Sequence, residues 1–384
     1  MSALLPVYRP AEPVFVAGRG AYLIAEDGRE YLDFASGIGV NALGYGDADI
    51  TRAIAAAADT GLIHTSNLYR TRPAAELAAD LVRLSFADAV FFCNSGAEAN
   101  EGAFKFARRW ARQIAQDKIE IVALAGSFHG RLFGSLAATD RPAFRAPFEP
   151  LMPGVRFVPP GDVDALRAAV SRERTAAIIA EPVQGEGGVR PLTAEYLHAL
   201  RAVADEADAL LIFDEVQCGL GRTGRLFAYE ESGVTPDLLT LAKPLAGGLP
   251  MGAVLLSARV AAAIQPGDHA TTFGGGPFVA SVARVVLRRI SDPDFLADVR
   301  RKGERIQAAL TALVGRGGVE EARGRGMMWG LQLASPAAPV IARALEAGLL
   351  VISAGERVVR LLPPLSIADA DLERGLEILA EVLA

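Results

Sequence analysis

The sequence has few cysteines, few histidines and no long apolar run. Its two cysteines, Cys93 and Cys218, provide no disulfide framework, and the four histidines are scattered, so we expect no metal site. The longest apolar runs are too short to span a membrane. The first residues lack the basic segment and the cleavage site of a secretory signal. Together these absences predict a soluble protein of the cytoplasm.

Basic residues do not form blocks either. The net charge is −6, and arginines are interspersed with acidic residues along the chain. We therefore expect no surface for nucleic acid. What is present is ordinary core material, because the 384 residues are 51% apolar and 22% charged. That length is enough for about two or three domains.

Lysine is also scarce. Arginine is the usual cation of this chain, and only Lys105, Lys118, Lys243 and Lys302 are lysines. Lys243 lies in an apolar run and is followed by a proline and a pair of glycines. A desolvated amine can lose its proton and attack a carbonyl, whereas a guanidinium cannot, so Lys243 is a candidate nucleophile. Taken alone, its position favours a surface lysine whose methylene groups cover apolar surface.

Short apolar runs alternate with helical segments from residue 89 onwards. The runs lie at residues 89–93, 120–125, 176–182, 209–215, 238–242 and 251–257. Strands that are buried on both faces and interleaved with helices are typical of α/β proteins. The pattern therefore predicts a mainly parallel, doubly wound sheet.

The two ends of the chain differ from this central pattern. Residues 1–20 are rich in proline and glycine and are predicted to be an irregular arm, with short strands at 21–25 and 31–34 after it. Helices and a few strands follow residue 280, which indicates a second, smaller α/β region. The predicted division is an arm with part of a small domain at 1–46, a large domain at 47–280, and the C-terminal small domain at 281–384.

Candidate site residues follow the predicted strands, where ligands bind in sheets of this kind. After the first strand, Ser95 and Gly96 open a helix whose free N–H groups and positive dipole end suit a phosphate. A simple N-cap explains these two residues equally well. After the second strand, Phe128 and Arg131 share a loop with a histidine, and such a group is able to stack on a ring and hold an anion.

Carboxylates follow two later strands. Glu181 and Glu186 belong to a glycine-rich loop, which can approach a ligand closely. Asp214 ends an apolar strand, where a carboxylate needs a cationic partner such as a protonated ring nitrogen or a structural arginine. Together with Lys243, a phosphate-binding helix start and an aromatic ring, these groups form the set that a pyridoxal phosphate enzyme requires.

One motif points elsewhere and is rejected. Residues 219–224, GLGRTG, match the dinucleotide-binding pattern G-x-G-x-x-G. In that motif the glycines come directly after a strand and open a helix. Here DEVQC separates the glycines from the strand, and the following residues lead to another loop. We therefore predict no nicotinamide site.

The order of motifs along nearly the whole chain resembles the class III (ω-amino) aminotransferases. The segments that carry the resemblance include FFCNSGAEANE, EPVQGEGG, FDEVQCGLGRTG, LAKPLAGGLPMGA and HATTFGGGP. Within that class they are most similar to the acetylornithine aminotransferases. The resemblance implies fold type I of the pyridoxal phosphate-dependent transferases, with a small domain formed by both termini and pyridoxal 5'-phosphate as cofactor. It also implies a homodimer with active sites at the subunit interface.

The resemblance assigns the cofactor contacts residue by residue. Lys243 would be the Schiff-base lysine and the catalytic proton shuttle, and Asp214 would keep the pyridinium nitrogen protonated. Gln217 would reach the ring hydroxyl. The remaining implied contacts hold the two faces of the ring and the phosphate: Phe128, Val216, Ser95, Gly96, Ala97 and, from the partner subunit, Thr272.

The implied substrate contacts are two arginines, a threonine and a glutamate. Arg360 would bind the α-carboxylate in a bidentate fashion, a task that suits a guanidinium. Arg131, assisted by Thr271, would bind the carboxylate of the acetylated amino acid. Glu186 would act as a gate, because it would pair with Arg360 while an ω-amine reacts and swing away when an α-keto acid binds.

The implied reaction converts N2-acetyl-L-ornithine and 2-oxoglutarate to N-acetyl-L-glutamate 5-semialdehyde and L-glutamate, in arginine biosynthesis. Two positions depart from the family pattern: Gly276 stands where asparagine is usual, and Tyr45 where histidine is common. They leave open another ω-transaminase, for ornithine, 4-aminobutyrate or succinyl-diaminopimelate. A non-catalytic dimeric binding protein on the same fold is a further alternative. The presence of both Lys243 and Asp214 argues against that alternative.

Overall fold

The strands of the described residues form four sheets. The computed structural model describes residues 3–384. In chain order the strands are β1 (Phe15–Arg19), β2 (Tyr22–Ala25), β3 (Glu30–Asp33), β4 (Ala89–Cys93), β5 (Glu120–Leu124), β6 (Val155–Val158), β7 (Thr175–Ala180), β8 (Val183–Gln184), β9 (Arg190–Pro191), β10 (Leu210–Asp214), β11 (Leu238–Leu241), β12 (Gly252–Leu256), β13 (Val319–Arg325), β14 (Met328–Leu333), β15 (Leu349–Leu350), β16 (Ile352–Ser353) and β17 (Val358–Leu361).

The helices fill most of the connections between these strands. In chain order they are α1 (Ser36–Gly39), α2 (Ala48–Asp59), α3 (Arg72–Arg83), α4 (Gly96–Ala111), α5 (Phe133–Ala137), α6 (Pro142–Arg145), α7 (Val163–Ala169), α8 (Ala194–Glu206), α9 (Ala258–Ala261), α10 (Pro277–Ile290), α11 (Pro293–Thr311), α12 (Ala338–Glu346) and α13 (Asp369–Leu383). Short 3-10 turns lie at Ala146–Phe148, Ala228–Glu231 and Lys243–Ala246.

A seven-stranded sheet organises the centre of the chain, in the order β4-β12-β11-β10-β7-β5-β6. β12 is antiparallel to both of its neighbours, and the other strands run the same way. β7 and β10 are buried along their whole length, because helices cover both faces. The predicted α/β fold with a mainly parallel sheet is therefore confirmed.

The first strand corrects the prediction of an irregular arm over residues 1–20. β1 pairs with β2 in antiparallel register, with Arg19 opposite Tyr22. Gly20 makes the tight turn between them with a φ of 58°. β1 is an outer strand and is mostly exposed, so it carries none of the apolar burial that marks a strand in sequence.

Both ends of the chain contribute to one small sheet. β15 pairs in parallel with β3 and completes the order β1-β2-β3-β15. A second four-stranded sheet, β13-β14-β17-β16, comes entirely from the C-terminal part. The bounds of the domains at residues 46 and 280 stay a prediction.

The parallel strands bring their carboxyl ends to one edge of the central sheet. α4 begins immediately after β4, and the Ser95 hydroxyl caps it by accepting a hydrogen bond from the Glu98 amide, at 3.2 Å. The loops after β5, β7, β10 and β11 open at the same edge. Within residues 3–384, no helix is both long enough and apolar enough to cross a membrane.

Candidate active site

A cavity of about 450 Å³ lies at the carboxyl ends of the central strands. The predicted site residues that line it are Ser95, Gly96, Ala97, Phe128, Arg131, Glu186, Asp214, Val216, Gln217 and Lys243. These residues come from five different strand ends, and the parallel topology is what brings them together.

Lys243 follows β11 after one residue, Ala242, and begins the 3-10 turn of Lys243–Ala246. Gly247 ends that turn in the left-handed conformation, with a φ of 60°. Burial lowers the pKa of Lys243 below its usual range, although the carboxylate of Asp214 acts in the opposite direction. The amine is thus closer to its neutral, nucleophilic form than a surface lysine is.

Asp214 is a buried carboxylate that accepts three hydrogen bonds. Its Oδ2 faces Nδ1 of His129 at 2.8 Å and accepts from Nδ2 of Asn100 at 2.7 Å. Its Oδ1 accepts from the Val216 amide at 3.0 Å. The oxygen of the Asn100 side chain accepts in turn from Thr240, which fixes the orientation of that amide. This network holds Asp214 in one position beside the cavity.

Asn100 was not among the residues predicted for the site, and His129 was considered only as the histidine of the loop with Phe128 and Arg131, without a role of its own. Asn100 lies four residues after Gly96, so the helical repeat already places it on the face of α4 that meets the cavity. His129 is the neighbour of Phe128 and lines the cavity as well. Its Nε2 is buried and has no hydrogen-bond partner among the described residues.

The start of α4 offers unpaired backbone donors to the cavity. Among the described residues, the amides of Gly96 and Ala97 have no acceptor, as expected for the first turn of a helix. A Cβ atom on Gly96 would lie 2.5 Å from Cγ1 of Val216. Only glycine therefore allows the helix start to pack directly on Val216 and to present its N–H groups at that point.

Glu181 links two loops of the cavity. Its carboxylate accepts from the amides of Phe128 and Gly185, each at 3.0 Å. Burial raises the pKa of Glu181 to about 7, while the nearby His129 lowers it. The side chain therefore positions the loop that carries Phe128 and the loop that carries the predicted gate.

Arg360 lies behind the cavity wall and pairs with the predicted gate. Its Nη1 lies 2.6 Å from Oε1 of Glu186 and donates to Oε1 of Gln217 at 3.0 Å. Its Nη2 donates to the carbonyl oxygen of Ser353. Arg360 is only 2% exposed, so access of a substrate carboxylate to it requires Glu186 to move.

Arg131 differs from Arg360 because no carboxylate within the described residues pairs with it. Its guanidinium lies over the ring of Phe144, 3.4 Å from the ring centre, and 5.8 Å from that of Phe128. Cation–π contacts of this kind orient a guanidinium and leave its N–H groups free. Arg131 is exposed at the mouth of the cavity.

Thr271 and Thr272 do not reach this cavity within one chain. The Thr271 hydroxyl accepts from Nδ2 of Asn94 at 3.2 Å. Thr272 is exposed and lines a separate cleft with residues 64–67. Within one chain neither threonine lines the cavity, although Thr271 contacts Asn94, which does.

Glu215, next to Asp214, is buried behind the cavity, and its burial makes the stability of the protein depend on pH. Its carboxylate accepts from the amides of Ala228 and Tyr229, and burial raises its pKa to about 8. An unfolded glutamate titrates near about 4.3, so between these values the folded state binds more protons than the unfolded state. The free energy of unfolding then falls as the pH rises towards 8.

Glu215→Gln is expected to lower the melting temperature by a few degrees at pH 5 and to flatten its decline between pH 5 and 8. The glutamine stays neutral but offers only one acceptor to two amides. Melting curves of both proteins across this pH range provide the measurement. Glu304→Gln, at an exposed site, is the control. An unchanged slope in Glu215→Gln would rule out this assignment.

Comparison with known proteins identifies the family. The model of the family "Aminotransferase class-III" matches residues 7–383. A mitochondrial acetylornithine aminotransferase of Alnus glutinosa is 49% identical over 99% of this chain and 85% of its own length. The chain belongs to the class III aminotransferases. The family predicted from the motifs is confirmed, and with it the predictions of an aminotransferase and of pyridoxal 5'-phosphate as cofactor.

Solved structures of this class share the fold. An N-acetylornithine aminotransferase of Stenotrophomonas maltophilia K279a superposes with a TM-score of 0.84 at 37% identity, covering 97% of this chain and 96% of the other. An ornithine aminotransferase of Toxoplasma gondii ME49 superposes with a TM-score of 0.95 at 29% identity, covering 99% of this chain and 92% of the other. The predicted fold type I is thus also confirmed.

The cavity of this class III aminotransferase fits the cofactor. The unpaired amides of Gly96 and Ala97 suit its phosphate. The fixed carboxylate of Asp214 suits a protonated ring nitrogen, and Lys243 supplies the amine. The individual roles of these residues are proposals that follow from their chemistry.

Proposed function

We propose that this aminotransferase transfers the amino group of N2-acetyl-L-ornithine to 2-oxoglutarate, as a step of arginine biosynthesis. The products would be N-acetyl-L-glutamate 5-semialdehyde and L-glutamate. The names of the relatives at 44–49% identity support this substrate. The observation that carries the proposal is the difference between the two arginines of the site, since Arg360 is paired with Glu186, whereas no carboxylate of residues 3–384 pairs with Arg131.

This difference suits a donor whose reacting amine is far from its carboxylate. The carboxylate of acetylornithine would bind the free Arg131, and the ω-amine would then reach Lys243. While Glu186 covers Arg360, an α-carboxylate cannot bind there. The end of the donor that bears the α-carboxylate is therefore excluded from the reacting position. The second substrate, 2-oxoglutarate, requires Glu186 to leave so that Arg360 can bind its α-carboxylate.

The side chains of the cavity divide the remaining work. When bound, pyridoxal 5'-phosphate supplies an electron sink for the substrate carbon. Nζ of Lys243 would take the proton from the carbon that bears the reacting amine, and its lowered pKa suits a general base. Asp214 would place a negative charge beside the ring nitrogen, and the backbone of Gly96 and Ala97 would hold the phosphate.

We also propose that the protein is a homodimer of the cytoplasm. Leu68, Tyr69 and Phe273 are 88%, 73% and 66% exposed, and exposed apolar side chains of this size mark a contact surface. Thr272 is next to Phe273, so such an interface would carry it towards the partner's cavity. Cys93 and Cys218 are buried thiols, which suits a reducing compartment.

Steady-state assays with a panel of donors test the substrate. We expect acetylornithine to show the highest kcat/KM with 2-oxoglutarate, ahead of ornithine, 4-aminobutyrate and succinyl-diaminopimelate. A higher value for one of the other donors would reassign the substrate. A purified protein with no visible cofactor absorption, and with Lys243 unmodified after borohydride treatment, would instead support a non-catalytic binding protein.

Arg131→Ala is expected to raise the KM for acetylornithine by about 10- to 100-fold, because a charged hydrogen bond to the carboxylate is lost. The KM for a donor amine without a carboxylate should change little. Arg145→Ala is a matched control, since Arg145 also lies over a phenylalanine ring, that of Phe157, but does not line the cavity. Equal effects of Arg131→Ala on both donors would contradict the assigned role.

A further inference from the structure

Three consecutive carbonyl oxygens of the gate loop are held by three different arginines. The loop joins β8 to β9, and the carbonyl groups belong to residues 186–188. The donors, in the order of the carbonyls, are Nη2 of Arg141 at 2.8 Å, Nε of Arg190 at 3.1 Å and Nε of Arg323 at 2.7 Å.

This loop needs external support. β8 and β9 are two residues each, so their ladder fixes little backbone. Gly185, Gly187 and Gly188 give the loop more conformational freedom than other residues would, and Gly188 has a φ of 104°. Arg141 precedes α6 and Arg323 belongs to β13, so these two arginines tie the loop to separate elements, whereas Arg190 belongs to β9 and ties the loop to its own second strand.

We call Arg141, Arg190 and Arg323 the clamp. They fix the backbone from which the Glu186 side chain reaches Arg360. That side chain is 29% exposed, and its Oε1 lies 2.6 Å from Nη1 of Arg360. With its carbonyl held by Arg141, Glu186 can leave Arg360 by rotating its side chain while the loop stays in place. Loss of the clamp lets the whole loop shift, which weakens the Glu186–Arg360 pair.

We propose that Arg141, Arg190 and Arg323 are positioning residues that set the balance between the two substrates of this enzyme. The inference rests on the proposed function, because it assigns the ω-amine to the closed state of the gate and 2-oxoglutarate to the open state. A weaker clamp favours the open state. It therefore impairs the donor half-reaction more than the acceptor half-reaction.

Arg141 provides the sharpest test. Its Nη1 donates to the carbonyl of Asp140, and no salt bridge of the described residues includes it. Arg323 also contacts Glu321 and Gln332, so its replacement would disturb β13 and β14 as well. Arg190→Met is the second variant, because Arg190 is exposed and its removal leaves the core intact.

Arg141→Met is expected to lower the ratio of kcat/KM for acetylornithine to that for 2-oxoglutarate by about tenfold, the effect of one lost charged hydrogen bond. Arg190→Met should act in the same direction, and Arg141→Lys should recover part of the loss. Arg343→Met is the matched control, since Arg343 also donates to a main-chain carbonyl, that of Val382, far from the gate. An equal change in both constants for Arg141→Met would overturn the proposal.

A second arm combines Arg141→Met with Glu186→Ala. Without the gate carboxylate the clamp has nothing to position, so Arg141→Met should leave the ratio unchanged in that background. A persistent tenfold effect would overturn the proposal.

Hydrogen exchange of the amides at 185–189 gives a readout that does not depend on activity. Exchange should be faster in Arg141→Met than in the unaltered protein or in Arg343→Met, and unchanged exchange would overturn the proposal. If the unaltered protein fails to transaminate any donor, the proposed function fails, whereas the exchange result still tests the clamp.

Discussion

Lys243→Ala is expected to lower the kcat for transamination by about 10⁴-fold, the upper range for loss of a general base. Within the described residues, the lining of the cavity contains no other lysine. Water cannot replace an amine whose position and lowered pKa are both set by burial. Single-turnover reactions with acetylornithine, followed by cofactor absorption, measure the step directly.

Lys105→Ala is the control for this variant. Lys105 is exposed and lies near Nδ1 of His269, away from the cavity. It should leave kcat unchanged. Retention of more than a small fraction of activity by Lys243→Ala, in protein that still carries cofactor, would contradict the role of Lys243 as the base.

Asp214→Asn is expected to lower kcat by about 10²–10³-fold, the loss seen when a preorganised electrostatic partner is removed. The asparagine has nearly the same shape, but it is neutral. Its NH₂ group would also replace one acceptor oxygen, and would then face either the donors Asn100 and His129 or the amide of Val216. Steady-state kinetics together with the absorption spectrum of the bound cofactor provide the measurement.

Replacement of a buried carboxylate at the other end of the sheet is the control that distinguishes a loss of kcat from general destabilisation. Asp237 precedes β11 and accepts from Arg201 and Arg259. Asp237→Asn should reduce stability without a comparable loss of kcat per folded molecule. Equal losses in the two variants would show that Asp214 acts only by supporting the fold.

The central strands could be predicted because strands that are buried on both faces consist almost entirely of apolar residues. β7 and β10 are continuous apolar runs with turn residues on both sides, so their limits are close to the predicted ones. β1 was missed because it depends on pairing with β2 while its own side chains are mostly exposed. The antiparallel direction of β12 likewise depends on its neighbours, β11 and β4.

The site also contains residues that their position in the sequence predicts and residues that only their partners in the fold reveal. Lys243 and Asp214 could be predicted because Asp214 ends a strand, Lys243 lies just beyond the end of the next one, and the parallel topology collects strand ends. His129 and Asn100 end no strand, and a polar residue in a loop or on a helix has many possible partners. For Asn100 the helical repeat after Gly96 indicates the cavity face of α4 but not the partner, Asp214. Arg141 is the extreme case, because its partner is the main-chain oxygen of Glu186, and every residue has such an oxygen.

The pairing of β15 with β3 bears on the order in which the protein assembles. β1, β2 and β3 are synthesised before the strands of the central sheet, yet their sheet is completed only by Leu349 and Leu350, which follow the central sheet in the sequence. The strands of the central sheet all precede residue 257, so that sheet can form while the early strands still lack their partner. Contacts this distant in sequence slow folding, because closing a long loop of chain costs entropy before the contact stabilises it. β3 thus lacks its neighbour in the sheet until β15 has been synthesised.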